Sequence, residues 1–546
     1  MSSATKIIKY QYDPAGKMTS MTDPEGGRTT YTYDSLNRIS SLINPQLERT
    51  SFLFDANGRE IQKKMSNGMR TSFLYDSTSN ILNISEFKSN NSLISNFTYE
   101  YDNAGNRIAC IEADNSRTTW SYDNVYQLKE EHRTGSYPFK NSFEYDSTGN
   151  RILKNENGSV TTCSYDIANQ LTASDAPVGR TTYLYDFNGN QLVSEFPSGD
   201  RNTITWNYDN KIMGLETLSG SRITNTYEPD GLRIKYEDTF EVIKNVWDNQ
   251  NCLIETNENN EAQIFYTYNP KNYGELISAY KDEISSYYHY DVLGSTRNLT
   301  DSSETILNSY LYDAWGNTIY NSGSTPNNFR WLGRDGYYYD ELSSSYYVRS
   351  RTYSPITGRW LSPDPMTFID GVNFYVAYFV PQGEDPSGYS INTGSAEPDS
   401  NCCKKPEPLW QYWNYTSQQE CVSHQLLMAA MRPGGKLFGI GATGLVFVRK
   451  ALSIGNWASI IAGVGATLVV KEGTERICGM QVCTRGNMRA PICDNYSYDY
   501  LGLWRCYRIN CVCPVGSQLW DGKPTYDAYH DFPSWDLDDL KGDGVK

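Results

Sequence analysis

Histidine is scarce in this chain, and positive charge is in deficit over its first 389 residues. Only four His occur among 546 residues, which disfavours a metal nuclease whose site is built from histidines. Residues 390–546 hold 15 basic and 15 acidic residues, so the whole formal charge of −16 falls on residues 1–389. Since such a surface repels phosphate, the first part of the chain is not expected to bind nucleic acid.

Signatures of cofactor-dependent enzymes are also missing from the sequence. There is no P-loop, no HExxH zinc motif and no dinucleotide-binding fingerprint. We therefore expect no cofactor and no metal. The N-terminal residues also lack the charged and then apolar pattern of a secretory signal peptide.

What the chain does contain is a short phrase that recurs at a nearly constant interval. The phrase is aromatic-x-aromatic-Asp, followed by a turn rich in Gly and Asn. Its first four aspartates are 21 residues apart, at Asp13, Asp34, Asp55 and Asp76. The phrase returns near Asp102, Asp123, Asp146, Asp166, Asp186, Asp209, Asp291 and Asp313. A constant period of this size indicates one supersecondary unit repeated many times.

The chemistry of each unit predicts a β-hairpin. Tyr31 and Tyr33 lie two residues apart, so both rings point to the same face of a strand. The following Asp accepts hydrogen bonds from the local backbone, and the Gly or Asn beyond it tolerates positive φ. Each period then holds two short strands and two turns, and one hairpin cannot bury its aromatic face alone. We expect a mainly β fold, in which antiparallel hairpins stack into a coiled or partly open shell.

The motifs in the second part of the repeat region resemble those of one known family, the RHS or YD-repeat proteins. The stretches that carry the resemblance are Tyr288-His289-Tyr290-Asp291-Val292-Leu293-Gly294-Ser295-Thr296-Arg297, Tyr310-Leu311-Tyr312-Asp313-Ala314-Trp315-Gly316-Asn317, Tyr346-Tyr347-Val348-Arg349-Ser350-Arg351, Gly358-Arg359-Trp360-Leu361-Ser362-Pro363-Asp364-Pro365 and Asp385-Pro386-Ser387-Gly388. The resemblance covers about residues 6–389. It implies three parts: a YD-repeat shell over 1–287, an RHS-associated core over 288–389, and a variable, toxin-like C-terminal segment over 390–546.

The resemblance also implies that the chain cuts itself. Carried over residue by residue, the two catalytic aspartates are Asp364 and Asp385, and the cut falls between Tyr389 and Ser390. Two carboxylates suit this chemistry, because repulsion separates their pKa values so that one keeps a proton while the other activates water. The chain departs from the family pattern at Asp364-Pro365-Met366-Thr367, which lacks the usual Gly. That loss could misplace one carboxylate, and the alternative is that both Asp-Pro units only cap turns.

Cysteine is concentrated after residue 390. Nine of the 12 Cys lie there, a density that indicates either disulfides or a metal site. The spacing lacks the paired C-x2-C of a strong zinc motif, so disulfides are favoured. The candidates are Cys478, Cys483, Cys493, Cys506, Cys511 and Cys513. The sequence predicts a small cysteine-rich domain with one or two apolar helices.

The one long uncharged apolar run also lies in this segment, at residues 451–470. Small residues recur in it every four positions, at Gly455, Ser459, Gly463 and Thr467. This spacing lets helices approach closely in a bilayer, and about 20 apolar residues span one. The alternative is a buried helix of a soluble domain.

Two functions from different classes fit these observations. The first is an RHS-type polymorphic toxin, in which the shell encloses a C-terminal effector that is membrane-active and released by aspartyl self-cleavage. Its partners would be an immunity protein, a secretion or delivery machinery and a target membrane. The second is a non-enzymatic cell-surface adhesion scaffold that carries a disulfide-rich binding module. Either protein would be exported or held at the cell surface, and the toxin would be secreted into or against target cells. The one enzymatic activity that the resemblance implies is aspartyl self-cleavage at Asp364 and Asp385. The C-terminal segment itself carries no clear catalytic signature.

Overall fold

The computed structural model describes residues 6–365, 371–378 and 380–389, together with the backbone of 408–409, 496–498 and 506–509. The chain divides into two compact units, Met1–Thr393 and Gly394–Lys546. The predicted mainly β fold is confirmed, because the first unit is built on one antiparallel sheet of 30 strands. Each strand pairs with the strand before it and the strand after it in the chain, and the sheet is open.

The 30 strands are short and follow one another at regular intervals. In chain order they are β1 Lys9–Tyr12, β2 Met18–Thr22, β3 Arg28–Tyr33, β4 Ile39–Ile43, β5 Arg49–Phe54, β6 Glu60–Lys64, β7 Arg70–Tyr75, β8 Ile81–Phe87, β9 Leu93–Tyr101, β10 Arg107–Glu112, β11 Arg117–Tyr122, β12 Leu128–Thr134, β13 Phe139–Tyr145, β14 Arg151–Glu156, β15 Ser159–Tyr165, β16 Leu171–Ala176, β17 Gly179–Tyr185, β18 Gln191–Glu195, β19 Arg201–Trp206, β20 Ile212–Glu216, β21 Arg222–Tyr227, β22 Arg233–Glu237, β23 Val242–Asp248, β24 Asn251–Thr256, β25 Ala262–Tyr268, β26 Leu276–Lys281, β27 Ile284–Tyr290, β28 Thr296–Thr300, β29 Ile306–Tyr312 and β30 Thr318–Ser322.

The turn that follows each aromatic phrase has the predicted chemistry. Asp55 closes the turn between β5 and β6, where its Oδ1 accepts the N–H groups of Asn57 and Arg59, both at 2.9 Å. Gly58 adopts φ 84° in this turn, a conformation that favours glycine because it has no Cβ. In the turn after Asp34 the corresponding residue is Asn37, at φ 62°. A side-chain cap of this kind therefore closes many of the turns between consecutive strands.

In many of the units the second aromatic residue of the phrase links its hairpin to the strand before it. Its hydroxyl donates a hydrogen bond of 2.6–2.9 Å to the carbonyl of the first residue of the preceding strand. The donor and acceptor pairs are Tyr33 and Met18, Tyr75 and Glu60, Tyr101 and Ile81, Tyr122 and Arg107, Tyr145 and Leu128, Tyr165 and Arg151, Tyr227 and Ile212, and Tyr290 and Leu276. Trp206 and Trp247 make the same bond with their indole N–H.

The sheet folds back so that its later strands pack on its earlier ones. Hydrogen bonds between these parts of the sheet join residues that lie 183 to 239 positions apart in the chain. Between these layers, Leu42 and Phe52 of the early strands form one buried cluster with Leu253, Ile254 and Ile277 of the later strands. Exposure of the aromatic face of the sheet to water is unfavourable. Because the sheet folds back, apolar side chains of its later strands cover this face.

The chain after β30 supplies a smaller sheet and a second aromatic core. A 3-10 helix at Gly333–Asp335 precedes four antiparallel strands, which are β31 Tyr338–Asp340, β32 Ser345–Val348, β33 Arg351–Ser354 and β34 Arg359–Trp360. Trp331, Tyr346 and Tyr353 are fully buried together. Leu361 then packs against Ile204 and other apolar residues of β19–β22. Leu361, which follows the last strand of the small sheet, therefore lies against the middle of the large sheet.

In the second unit the structure describes only three short strands, β35 Pro408–Leu409, β36 Tyr496–Tyr498 and β37 Cys506–Ile509, which form one antiparallel sheet. Of the predicted sites, Gly455, Ser459, Gly463 and Thr467 lie outside the described residues, and so do Ser390 and the side chains of the six candidate cysteines. Among the described residues no helix is long and apolar enough to cross a membrane. The division into 1–287, 288–389 and 390–546 stays a prediction; β27, at Ile284–Tyr290, continues the large sheet across its first boundary.

Candidate functional site

One arginine holds the two predicted catalytic aspartates together. Arg351 begins strand β33, and its Nη1 lies 3.1 Å from Asp364 Oδ2 while its Nη2 lies 3.1 Å from Asp385 Oδ2. The three side chains are 2 %, 6 % and 1 % exposed. The guanidinium also lies over the ring of Trp360, 4.1 Å from its centroid. The fold thus brings residues 21 positions apart into one buried, charged group.

The presence of Arg351 changes the electrostatics expected from the sequence. Two buried carboxylates alone would repel one another, and one would be forced to keep a proton. A guanidinium between them offsets this repulsion, and its planar fork gives each carboxylate a charge-assisted hydrogen bond. The three side chains therefore form one Asp–Arg–Asp group.

The same group holds the backbone next to the predicted cut. Arg351 donates through Nε to the carbonyl oxygen of Gly388, and the N–H of Tyr389 donates to Asp385 Oδ1 at 3.2 Å. Both polar atoms of the peptide bond between Gly388 and Tyr389 are therefore bound by site residues. Ser387 adds a third contact, because its hydroxyl donates to Asp385 Oδ1 at 2.9 Å and accepts the N–H of Tyr389 at 3.0 Å.

Gly388 is required at its position by close contact. It adopts φ 69°, and a Cβ there would lie 2.4 Å from the carbonyl oxygen of Val348. An alanine would meet rigid backbone at that distance. The Asp-Pro-x-Gly pattern thus has a local physical reason, which is that only glycine lets the segment pass so close to strand β32.

Two further side chains fix the backbone of Asp385 and Pro386. The Tyr337 hydroxyl donates to the Asp385 carbonyl at 3.0 Å and accepts the Asp385 N–H at 3.4 Å. Burial, and then the negative charge of Asp385, raise the pKa of Tyr337 well above its usual value, so the phenol keeps its proton. Arg349 donates to the Pro386 carbonyl and to the carbonyl of Asp335.

A second charged group lies beside this one. Glu384 accepts a hydrogen bond from Arg334 Nη2 at 3.1 Å, and Arg334 also pairs with Asp335. Burial, and then the nearby charge of Asp335, raise the pKa of Glu384 to about 8. At neutral pH Glu384 therefore holds a proton, which it can share with Asp335.

The sequence motifs predict Asp364 and Asp385 as catalytic residues and Tyr389 as the residue before the cut, but they indicate no role for Arg351. The residue was visible inside the motif that ends in Arg349-Ser350-Arg351. The signal that could have found it is charge balance, because two buried carboxylates need a cation close by. For Tyr337 the sequence carries no such signal, since its contact with Asp385 depends on the folding of the small sheet. Among the described residues no group of three or more His, Cys, Asp or Glu is arranged to hold a metal ion.

The large sheet of consecutive hairpins and the aromatic core that packs on it are the features of a YD-repeat shell protein. A family model for the RHS repeat matches residues 6–47, and one for the teneurin YD-shell matches residues 106–375. The chain belongs to the RHS/YD-repeat proteins. This confirms the family resemblance seen in the sequence motifs.

Several relatives with described activities are toxins or nucleases. The chain is 30 % identical over 259 residues to the tRNA3(Ser)-specific nuclease WapA of Bacillus spizizenii, and 29 % identical over 259 residues to the tRNA nuclease WapA of Bacillus subtilis strain 168. Each match covers 46 % of this chain and 10 % of the relative. It is also 22 % identical over 226 residues to the double-stranded DNA deaminase toxin A of Burkholderia cenocepacia, covering 35 % of this chain and 16 % of that protein.

Solved structures with a similar fold include crystal structures of TcdB2-TccC3. The crystal structure of TcdB2-TccC3-TEV matches with a TM-score of 0.59 at 18 % identity, covering 70 % of this chain and 21 % of that one. The crystal structure of TcdB2-TccC3 without its hypervariable C-terminal region matches with a TM-score of 0.52 at the same identity and the same shares. The chain spans about a tenth of the length of the WapA relatives and about a fifth of these structures. At this identity the likeness concerns the fold.

Proposed function

We propose that this chain is the shell of an RHS-type polymorphic toxin, and that it frees its C-terminal segment by cutting itself after Tyr389. The observation that carries the proposal is the binding of the Gly388–Tyr389 peptide group by Arg351 and Asp385. A bond that is to be cut within its own chain must be held against the reacting groups, and this peptide lies one residue before the proposed cut. Asp364 completes the charged group from the other side of the guanidinium.

The proposed reaction is hydrolysis of the Tyr389–Ser390 peptide bond. A water oxygen bonds to the carbonyl carbon of Tyr389 while one aspartate takes a proton from that water. The bond from that carbon to the nitrogen of Ser390 then breaks, and the second aspartate, which has taken up a proton from solvent, passes it to the leaving nitrogen. The products are a carboxylic acid on Tyr389 and an amine on Ser390, and the proton that the acid then loses is taken up by the amine, which leaves a carboxylate and an ammonium group. One aspartate ends with the proton that the other began with, so atoms and charge balance. Arg351 would keep both carboxyl groups at the bond throughout.

The released segment would be the effector, with an immunity protein and a delivery machinery as partners. Relatives that carry toxin or nuclease activities in their names support this assignment to a toxin class. Membrane activity, which the run at 451–470 favours, stays a proposal of the same kind.

The proposal is tested by the intact mass of the purified full-length chain. We expect two fragments, with Ser390 as the new N-terminus of the smaller one, and a single uncut species for Asp385→Asn and for Asp364→Asn. Asp370→Asn, which changes an aspartate between the two proposed catalytic residues, is the control and should still be cut. A wild-type chain that stays at full mass after folding would refute self-cleavage.

A further inference from the structure

A lysine from the middle of the large sheet reaches the cleavage segment. Lys211 closes the turn between β19 and β20, and its side chain is buried. Its Nζ donates to the carbonyl oxygen of Arg349 at 3.0 Å and to that of Ser350 at 3.2 Å. These acceptors lie 138 and 139 residues away in the chain and immediately precede Arg351.

The residues that Lys211 holds are the ones that hold the cleavage segment. Arg349 donates to the Pro386 carbonyl, and the N–H of Ser350 donates to the carbonyl of Ser387 at 3.3 Å. Arg351 then binds both aspartates. Each contact from this three-residue stretch to residues 385–389 therefore depends on where the backbone at 349–350 lies.

Burial of an ammonium group without a carboxylate beside it costs free energy, so other contacts must stabilise the buried side chain of Lys211. Within the described residues Lys211 makes no ion pair; the charges that act on it are Asp209 in its own turn and Asp230 in the turn between β21 and β22. Burial lowers the pKa of Lys211 to about 8 in spite of these two carboxylates. At neutral pH the group is still charged, and the two carbonyls take up that charge through strong hydrogen bonds.

We propose that Lys211 is a positioning residue for self-cleavage, which fixes the backbone of Arg349 and Ser350 and through it the guanidinium between Asp364 and Asp385. Its effect on the cleavage rate rests on the proposed function. Its effect on the backbone of residues 349–351 does not. The consequence is that the cut becomes possible only when the β19–β20 turn has reached its place in the sheet, so that folding of the shell precedes release.

The first measurement is the rate of cutting of the full chain after cell-free synthesis. Lys211→Met has the same length but no donor, and we expect its first-order rate to fall by roughly tenfold or more, since ångström-scale misplacement of reacting groups is expensive. Lys211→Arg restores donors and should recover part of the rate. The matched control is Lys17→Met, which removes a lysine at the same place in another turn, far from the site. Cutting of Lys211→Met at the wild-type rate would overturn the effect on cleavage.

The second measurement separates this proposal from the proposed function. In the uncut Asp364→Asn chain, hydrogen exchange at the amides of Ser350 and Gly388 should rise several-fold on adding Lys211→Met, while the melting temperature changes no more than in Lys211→Arg. Unchanged exchange at both amides would overturn the positioning role, whether or not the wild-type chain cuts itself. A wild-type chain that never cuts, together with raised exchange, would refute self-cleavage and leave the backbone contact supported.

Discussion

Arg233 and Asp340 form a buried ion pair with two parallel hydrogen bonds, Nη1 to Oδ2 at 2.7 Å and Nη2 to Oδ1 at 2.9 Å. Arg233 begins β22 of the large sheet, and Asp340 ends β31 of the small one. Their side chains are 2 % and 10 % exposed. This pair therefore ties the two sheets together by charge in a place from which water is excluded.

Removing one partner of this pair should be strongly destabilising. Arg233→Met leaves the carboxylate of Asp340 buried without its cation, and we expect a loss of about 3–5 kcal/mol in the free energy of unfolding. Urea unfolding of the full chain, followed by tryptophan fluorescence, gives this value. The control is Arg222→Met, since the Arg222–Glu216 pair is exposed and such pairs contribute about 0–1 kcal/mol. Equal losses in the two variants would contradict the buried pair.

The protonation of Glu384 predicts a stability that falls as pH rises. Its pKa is raised to about 8 in the folded chain, so between its ordinary value and pH 8 the folded state binds a proton that the unfolded state has released. The stabilisation is complete at low pH and is lost through about pH 8. Glu384→Gln keeps the neutral form and the donor to Asp335 at every pH.

Urea unfolding of the wild-type chain and of Glu384→Gln from pH 5 to pH 9 checks this expectation. The variant should gain stability over the wild type as pH rises, most steeply between the ordinary pKa of glutamate and pH 8, and the gain should level off above pH 8. Glu258→Gln, at an exposed glutamate, should give a difference that does not change over the same range. A constant difference for Glu384→Gln as well would show that Glu384 is ionised throughout.

Gly388 and Gly158 make a matched pair for the close approach at the site. Both have positive φ, but a Cβ at Gly158 would meet nothing within 4 Å, whereas one at Gly388 would meet the Val348 carbonyl. Gly158→Ala should cost about 1 kcal/mol for the backbone conformation alone. Gly388→Ala should raise hydrogen exchange at the Ser350 amide, because the segment must move away from β32. Wild-type exchange at that amide would argue against the close contact.

Burial of the second layer predicts which leucines matter for stability. Leu276 is 0 % exposed within the aromatic cluster of the later strands, while Leu53 of β5 is 55 % exposed. Leu276→Ala should lower the free energy of unfolding by about 2–5 kcal/mol, and Leu53→Ala should change it by less than about 0.5 kcal/mol. Chemical denaturation of both variants would show it. A small loss for Leu276→Ala would mean that the aromatic cluster of the later strands is not closely packed around Leu276.

Local features of the fold were predictable from the sequence, because they depend on neighbouring residues. The hairpins, the Asp-capped turns and the shared face of paired tyrosines follow from the phrase itself; the rings of Tyr288 and Tyr290, for example, stack with centroids 6.1 Å apart. The position of the capping residue is less certain from the sequence where a unit departs from the aromatic-x-aromatic-Asp phrase. In the unit assigned to Asp209, the capping residue is Asn207, whose Oδ1 accepts the N–H groups of Asp209 and Lys211.

The non-local features could not be predicted in this way. The large sheet folds back on itself and brings together residues some 200 positions apart. The pattern of a single strand does not indicate which later strand packs on which earlier one. The roles of Arg351 and Lys211 arise in the same manner. Each is an ordinary basic residue in its own motif, and it acquires a partner only when distant segments meet.

The bonds that side chains of the phrase donate to the preceding strand have a consequence for how such chains change length. Every link connects nearest neighbours only and uses a main-chain acceptor, so an inserted or deleted hairpin creates a junction with the same chemistry as the one it replaces. Evolution can thus adjust the number of units, and with it the length of the sheet, without redesigning any individual junction.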